Sequence, residues 1–306
     1  MKKINLLLPL LFLAGCSPVD QTKINIFAPL GTPSLALANY YEECKDLYND
    51  FDLGAGSDAV TAAFGNIENK YDVIVAPTNI GAKFYNANGK YLLYQTIVWG
   101  NLYIASSKEI SSFTDLSNKT LMMYGENATP GIVVKTLLSH YSIDNINLDF
   151  SGSDDETVGS LLLNGNAEYV VIAEPTLSKI KKMNPNIYTI DLQEEWEKLT
   201  GSTSYPQASI FVKSSLKGKI DHQLEKITKS VLDTIKNPHS SAVNATKMSS
   251  KFNNLGVEVL ESAIPNCHYE INDNQKDAIE YYFNILNNLG KSAMYGGTIP
   301  DEQFYY

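Results

Sequence analysis

Residues 72–106 read DVIVAPTNIGAKFYNANGKYLLYQTIVWGNLYIAS, and the two halves of this stretch decide the fold. Residues 72–76 form a short apolar run rich in β-branched side chains, which is typical of a buried parallel strand. A proline ends this run. Thr78 or Asn79 can then cap a helix, which the apolar spacing predicts over residues 80–86.

A second extended run covers residues 91–105 and is interrupted at Trp99-Gly100-Asn101. Such an interruption suits a strand that leaves one sheet for another. We therefore interpret this point as a hinge between two lobes, with a ligand held near Asn79 and Trp99. The return crossing is predicted at Tyr205-Pro206-Gln207-Ala208, directly before a strand over residues 209–213.

From residue 24 onward, short apolar strands alternate with helices, which is typical of an α/β protein with parallel sheets. At 306 residues the chain is too long for one small core, so two lobes are expected. We predict a discontinuous first lobe over residues 24–104 plus 209–306, and a second lobe over residues 105–208. The segment after the return crossing should be helical and should pack back on the first lobe.

Two further helices are predicted in the first lobe. One is predicted over residues 35–48, with Thr32 as its N-cap and Pro33 in its first turn. The other is predicted over residues 240–252. The pair Glu194-Glu195 is expected to be a solvated helix start, and Tyr281-Tyr282-Phe283 to be ordinary helix packing.

The first residues predict where the protein resides. A positive start at Lys2 and Lys3 precedes an apolar core over residues 6–13, which is too short to span a bilayer. The sequence Leu13-Ala14-Gly15-Cys16 then resembles the cleavage site of a bacterial lipoprotein. The resemblance implies that residues 1–15 are a signal peptide, that Cys16 is lipidated, and that residues 16–23 form a tether. The alternative is a buried N-terminal helix with an incidental cysteine.

The composition narrows the class of partner. Aromatic residues make up 10% and charged residues 19% of the chain, so a folded globular protein is expected. The formal net charge is −10, which argues against a nucleic-acid-binding surface. The chain has no arginine, and all 24 of its basic residues are lysines. The bidentate guanidinium clamp for carboxylate, sulfonate or phosphate is therefore absent, which makes an anionic ligand less favoured.

The cysteines and histidines give little sign of catalysis. Besides Cys16, the chain has Cys44 and Cys267, which could form a disulfide or could be two independent thiols. The four histidines are scattered without metal-ligand spacing, and no nucleophile or phosphate-loop motif is present. We therefore predict no catalytic residue, no metal and no cofactor, and hence a protein that is not an enzyme.

One sequence pattern, a proline beside a polar residue, recurs where strands are predicted to end. Thr32-Pro33, Pro77-Thr78, Thr129-Pro130 and Glu174-Pro175 each follow an apolar strand and open a helix. In open α/β sheets a ligand crevice lies at the carboxyl ends of the strands, where helix N-termini present free amides. Two junctions fall in each predicted lobe, so the set predicts one cleft between them. For a single junction, helix capping is a sufficient explanation.

Nine residues are the candidates for this cleft. Trp99 is either a stacking platform or a core tryptophan beneath the hinge. Ser34 and Thr129 could serve as helix caps instead. The Glu174 carboxylate could accept hydrogen bonds from an amine-like ligand or pair with a lysine. The full set of candidates is Thr32, Ser34, Asn79, Trp99, Asn101, Thr129, Glu174, Tyr205 and Gln207.

The order of several segments carries a family resemblance. After the lipoprotein site come APLGTPSLALA (28–38), APTNIGAKFYN (76–86), WGNLYIASS (99–107) and SYPQASIFV (204–212). Together they resemble the solute-binding lipoproteins of ABC importers, in the branch that binds nitrate, sulfonate, taurine and thiamine-pyrimidine precursors. The resemblance implies a type II periplasmic-binding fold, with a central ligand cleft and two hinge crossings.

This resemblance also implies a function. It implies a monomeric receptor, lipid-anchored on the extracytoplasmic face of the cell membrane, that closes on a small molecule and delivers it to an ABC permease. A nitrogen heterocycle or an amine would suit Trp99 and Glu174. A sensor or adhesin on the same scaffold is one alternative. An enzyme similar to those of thiamine-pyrimidine synthesis is another, although that branch carries a cysteine-rich iron motif that this chain lacks.

Overall fold

A computed structural model describes residues 22–66, 68, 70–201 and 204–306 of the chain. The predicted signal peptide and the predicted lipidation site at Cys16 lie outside the described residues. Among the residues that the structure describes, no helix is long and apolar enough to cross a membrane.

The described residues form ten strands in two five-stranded sheets. In chain order the strands are β1 (Ile24–Pro29), β2 (Tyr48–Gly54), β3 (Val73–Pro77), β4 (Tyr91–Val98), β5 (Leu102–Ser106), β6 (Thr120–Met122), β7 (Asn147–Asp149), β8 (Tyr169–Ala173), β9 (Tyr188–Asp191) and β10 (Ala208–Lys213). The first sheet has the order β2-β1-β3-β10-β4, and the second has the order β7-β6-β8-β5-β9. This mixed α/β architecture confirms the predicted fold class.

Both sheets combine a parallel core with antiparallel additions. In the first sheet, β1 lies parallel to β2 and β3, and β10 is antiparallel to both β3 and β4. In the second sheet, β8 is central, parallel to β6 and antiparallel to β5. Every residue of β5 and β8 is buried, as expected for strands that helices cover on both faces.

Thirteen helices surround the sheets within the described ranges. They are α1 (Thr32–Leu35), α2 (Ala38–Glu43), α3 (Gly56–Gly65), α4 (Thr78–Asn88), α5 (Thr129–His140), α6 (Asp155–Leu163), α7 (Thr176–Met183), α8 (Leu192–Thr200), α9 (Asp221–Lys236), α10 (Pro238–Met248), α11 (Ser250–Leu255), α12 (Val257–Ala263) and α13 (Gln275–Asn288).

Two of the helix predictions were wrong. The helix expected over residues 35–48 is divided into α1 and α2, and Tyr48 already belongs to β2. The helix expected over residues 240–252 ends at Met248, because Ser249 is extended and its side chain caps α11 by accepting from the amide of Phe252. In both cases a local cap or strand start, which apolar spacing does not report, ends the helix early.

The chain crosses between the sheets at residues 99–101, where the interruption in the sequence predicts a crossing. It returns before β10, which begins at Ala208. The predicted lobe boundary after residue 104 falls inside β5, and this strand belongs entirely to the second sheet. The change of sheet therefore lies at the predicted interruption, three residues before the predicted lobe boundary, and the division into two lobes remains our interpretation.

The two sheets share one continuous apolar core. A single cluster of buried side chains contains Ile74 and Phe211 of the first sheet, and Ile104 and Val171 of the second. Tyr282 of α13 belongs to the same cluster, so the C-terminal helix packs across the boundary between the sheets. This packing places α13 beside the predicted cleft.

Candidate functional site

The helices that open at the strand ends are not capped by the side chains predicted to cap them. Gly31, and not Thr32, is the N-cap of α1, and Ala128, and not Thr129, is the N-cap of α5. Ser34 does follow the capping alternative, since its hydroxyl exchanges hydrogen bonds with the backbone of Gly31. The hydroxyls of Thr32 and Thr129 are therefore available for other contacts.

Thr32 joins the two sheets through its side chain. Its hydroxyl donates to the backbone carbonyl of Glu174, at the end of β8, over 2.7 Å. The same oxygen accepts from Asn101 Nδ2 at 3.0 Å, and the amide of Glu174 donates to the Asn101 carbonyl at 3.1 Å. The Thr32 carbonyl accepts from the phenol of Tyr269 at 2.7 Å. The structure thus brings three predicted site residues into one hydrogen-bonded group.

The Glu174 side chain is only 3% exposed. Its Oε2 accepts from the amide of Ser178 and its Oε1 accepts from the hydroxyl of Ser178, both at 3.0 Å. Burial raises the pKa of this carboxyl to about 7, and the two bonds from Ser178 oppose the rise. The carboxylate oxygens are thus bonded within α7, and the part of Glu174 that bridges to Thr32 is its backbone.

Trp99 packs beneath the first crossing as a core tryptophan, and not as an exposed stacking platform. The indole is 2% exposed, and Nε1 donates to the carbonyl of Glu270 at 3.2 Å. Its backbone amide donates to the carbonyl of His268 at 2.9 Å. Trp99 therefore anchors the C-terminal segment to the crossing through both its indole and its backbone amide.

Asn79 and Gln207 lie at the edges of the group. Asn79, the second residue of α4, is buried, and its Nδ2 contacts the carbonyl of Met294 at 3.4 Å. The amide of Gln207 donates to the carbonyl of Val98 at 2.9 Å, which ties the return crossing to the outgoing one. The side-chain oxygen of Gln207 is buried and, among the described residues, has no hydrogen-bond partner.

Tyr205 occupies the return crossing and is fully buried. Burial raises the pKa of its phenol well above the ordinary value; the nearby amides of Asn101 and Leu102 oppose this, and Asp191 adds to it. Its ring packs edge-on against Trp196 of α8, with ring centroids 5.4 Å apart. The phenol oxygen makes no hydrogen bond of good geometry with any described residue.

Gln193 was not among the predicted site residues. It is the second residue of α8, it is 1% exposed, and neither its Nε2 nor its Oε1 has a hydrogen-bond partner among the described residues. Its side chain lies against Gly100, where an added Cβ would collide with Oε1. Gly100 has φ +115°, so both its backbone conformation and this close approach require glycine.

Tyr282 was also missed, because helix packing explained it sufficiently. It is 1% exposed and packs against Trp196 with ring centroids 6.2 Å apart, so α13 contacts α8 across the boundary. Burial raises the pKa of its phenol, and the nearby hydroxyl of Thr129 opposes this rise. The phenol makes no hydrogen bond of good geometry within the described part of the chain.

Together these residues form the candidate site, which we call the crossing cluster. Its members are nine-tenths buried and carry polar atoms that no described residue satisfies. The members are Asn101, Gln193, Tyr205 and Tyr282. Buried polar groups are normally paired, so unpaired atoms on four side chains at the crossings make this cluster the candidate for contact with a small polar molecule. The strand ending before Gln193 was the signal that could have identified it.

The thiols and acids give no further chemistry to this cluster. Of the two alternatives for Cys44 and Cys267, a disulfide or two independent thiols, the structure has two free thiols. Cys44 lies in a surface pocket beside Lys226, whereas the buried Cys267 thiol donates to the carbonyl of Ala263. Within the described ranges, no group of three His, Cys, Asp or Glu side chains could hold a metal ion.

Two five-stranded sheets joined by two crossings give this chain a fold of the periplasmic-binding class. Residues 71–288 match the sequence profile of the menaquinone biosynthesis family, and the chain belongs to this family. The sequence motifs did not predict that membership. No curated protein sequence matches the chain significantly.

Solved structures support the class at the level of the fold. An ABC transporter protein from Parabacteroides distasonis superposes with a TM-score of 0.79 at 18% identity, covering 93% of this chain and 99% of that one. The periplasmic aliphatic sulphonate binding protein of Escherichia coli gives 0.69 at 10% identity, covering 93% and 92%. The ligand-binding component of an ABC-type import system from Staphylococcus aureus, solved with zinc, gives 0.65 at 9% identity, covering 93% and 98%.

Proposed function

We propose that the chain is the solute-binding component of an ABC importer, which captures a small molecule by closure of two lobes and delivers it to a permease. The observation that carries this proposal is the crossing cluster, in which buried polar atoms without described partners lie on both crossings and on helices α8 and α13 beside them. Its residues come from elements that a hinge motion would separate. The similarity of fold to binding components of import systems supports the same role.

Native mass spectrometry of the protein as purified tests ligand capture. We expect a retained small molecule that dissociates on activation in the gas phase, and a higher melting temperature for the loaded fraction, because a ligand that binds only the folded state stabilises it. Asn101→Ala should reduce the retained fraction while the protein stays folded. A protein that purifies without any bound molecule, and whose melting temperature no solute changes, would contradict the proposal and favour a sensor or adhesin.

The proposal includes an anchor at Cys16, which lies outside the described residues. Its support is the sequence Leu13-Ala14-Gly15-Cys16 after a short apolar core. Replacement of this residue, Cys16→Ser, should move the protein from the membrane fraction to the soluble extracytoplasmic fraction. Cys44→Ser is the matched control, and it should leave the distribution unchanged. Retention of Cys16→Ser in the membrane fraction would show that another feature holds the protein there.

Family membership supports a second candidate, an enzyme of menaquinone biosynthesis. Glu174 favours it physically, because a buried carboxyl whose pKa lies near 7 is a common general acid or base. The two candidates differ in the fate of the bound molecule. If the retained molecule is recovered unchanged after prolonged incubation, the binding role stands. If its mass changes with wild-type protein and not with Glu174→Gln, the enzyme is favoured.

A further inference from the structure

Gln193 carries the most specific information in the crossing cluster. A primary amide offers one acceptor and two donors on adjacent atoms. Both ends of this amide are buried without a described partner, while the backbone of its own helix start is satisfied: Asp191 Oδ1 accepts from the amide of Gln193 at 2.8 Å. The backbone is therefore fixed, and the side-chain amide is what remains to be paired.

The geometry around Gln193 holds the amide in place. Gly100 lets Oε1 approach the first crossing, where any side chain would displace it. The second oxygen of Asp191 accepts from His268 Nε2 at 2.9 Å, which ties the start of α8 to the C-terminal segment. An amide held this way can recognise a neighbouring donor and acceptor on a ligand, because both hydrogen bonds can form side by side.

The charges around the cluster do not favour an ion. The chain has no arginine, and Asp191 adds to the rise in the pKa of Tyr205, so the field near that phenol opposes an anion. The nearby carboxylates are already engaged: Glu174 by Ser178, Asp191 by His268 and helix amides. A cationic group would therefore find no free carboxylate among them. Burial of an unpaired ion is costly, so an uncharged molecule fits best.

The apolar part of the cluster consists of rings. Tyr205 and Tyr282 each pack against Trp196, all three are fully buried, and the Tyr205 ring and the Gln193 amide both lie against Gly100. Aromatic faces favour a flat ligand that can lie against them.

We propose that the crossing cluster binds an uncharged, planar ring compound that carries a carboxamide-like edge, with a donor and an acceptor on neighbouring atoms. Gln193 is the residue that selects this edge over a carboxylate. The inference rests on the proposed role as a binding protein, and it adds the class of ligand to that role.

Thermal-shift titration with matched pairs of small molecules tests the inference. Benzamide and nicotinamide carry the carboxamide edge, and benzoate and nicotinate keep the same rings but carry a carboxylate. At concentrations well above Kd, the two amides should raise the melting temperature of the wild-type protein by about 2–4 °C. The two acids should raise it by less than a quarter as much. The preference should vanish in Gln193→Met.

Gln275→Met is the control for this substitution. Gln275 Oε1 accepts from the amide of Thr96 and its Nε2 donates to the carbonyl of Tyr94, so this glutamine is already paired and lies outside the cluster. The control should keep the preference for amides, measured against its own unliganded melting temperature. Loss of the preference in both variants would assign the effect to general loosening and overturn the role of Gln193.

The outcomes separate this inference from the proposed function. Equal or larger shifts with the acids would overturn the ligand class and leave the binding role intact. The absence of a shift with all four compounds would also overturn the inference, and a molecule retained in the native mass spectrum would then still support the binding role. If the preference for the amides persists in Gln193→Met, another residue recognises the carboxamide edge, and the role proposed for Gln193 is overturned.

Discussion

Two regions of this molecule bury polar side chains, and they do so in opposite ways. The first region, which we call the helix network, lies between α2, α9 and α10 and is centred on Asn39. The second is the crossing cluster, which includes Asn101. The two asparagines are equally buried, with 6% of each exposed. They differ in what their side chains contact.

The helix network is closed on itself. Asn39 Nδ2 donates to Ser241 Oγ at 2.9 Å, and Asn39 Oδ1 accepts from Asn244 Nδ2 at 3.0 Å. Ser230 of α9 accepts from the amide of Tyr40 in α2, and the Thr234 hydroxyl bonds to the carbonyls of Ala36 and Ser230. In the crossing cluster, Asn101 Nδ2 reaches Thr32, but Asn101 Oδ1 has no partner among the described residues.

The difference in hydrogen-bond pairing distinguishes a region that stabilises the fold from a candidate binding site. Buried polar groups that are fully paired fix a unique packing, whereas unpaired ones cost free energy that the fold must supply from elsewhere. Burial alone, which is the same for the two asparagines, does not distinguish these cases. The pairing of the side-chain atoms does: Asn39 is paired at both ends of its amide, whereas Asn101 Oδ1 has no partner among the described residues.

The largest expected effect is on the helix network. Asn39→Ala should lower the free energy of unfolding by about 3 kcal/mol, because it removes the buried hydrogen bonds that Asn39 makes with Ser241 and Asn244. Asn101→Ala removes one hydrogen bond at similar burial and should cost about 1 kcal/mol. Urea denaturation of both variants without added ligand measures the two values. Equal losses would show that the two regions do not differ energetically.

Glu174 lies at the edge of the crossing cluster, but its carboxylate is paired with Ser178. The pH dependence of stability that this carboxyl causes therefore extends the comparison between the two regions. Its folded-state pKa of about 7 exceeds the ordinary 4.5, so the folded protein binds this proton more tightly. Stability from this group is therefore full below about pH 4.5 and falls as the pH rises to about 7, by up to about 3 kcal/mol.

Glu174→Gln should remove this pH dependence, because an amide of the same shape does not titrate. Melting temperatures of the variant and the wild type should approach each other at about pH 5 and diverge at about pH 8, with the variant more stable at the higher pH. Asp155, whose pKa burial also raises, remains in both proteins and contributes equally to each curve. Parallel curves over the whole range would refute a carboxyl that titrates near neutrality.

The sequence predicts the fold well because its signals are local. The apolar runs that became β3 and β8, and the interruption at residues 99–101, are periodic or compositional features that act within a few residues. Their identification did not require knowledge of distant contacts. The helix ends near Leu35 and Met248 were wrong because short caps decide them.

The site was predicted less completely, because its chemistry depends on contacts across the chain. Gln193 follows a strand in a segment whose neighbouring Glu194-Glu195 suggested solvent, and only the approach of Gly100 shows that the amide is buried. Tyr282 is separated from Trp196 by more than eighty residues of sequence. Thr32 and Asn101 were identified because they follow strand ends, which is a local signal.

The smallest expected effect is the one that separates the regions most directly. Gln193→Met replaces an unpaired buried amide by an apolar side chain of similar length, so the unliganded protein should become more stable by about 1 kcal/mol. Gln275→Met breaks two hydrogen bonds that Gln275 makes to the backbone, and it should destabilise by about 2 kcal/mol. The same chemical change should thus have opposite signs at two positions, as measured by chemical denaturation. A loss of stability in Gln193→Met would mean that its amide is paired in solution, which would place it with the helix network and leave the crossing cluster without its most selective member.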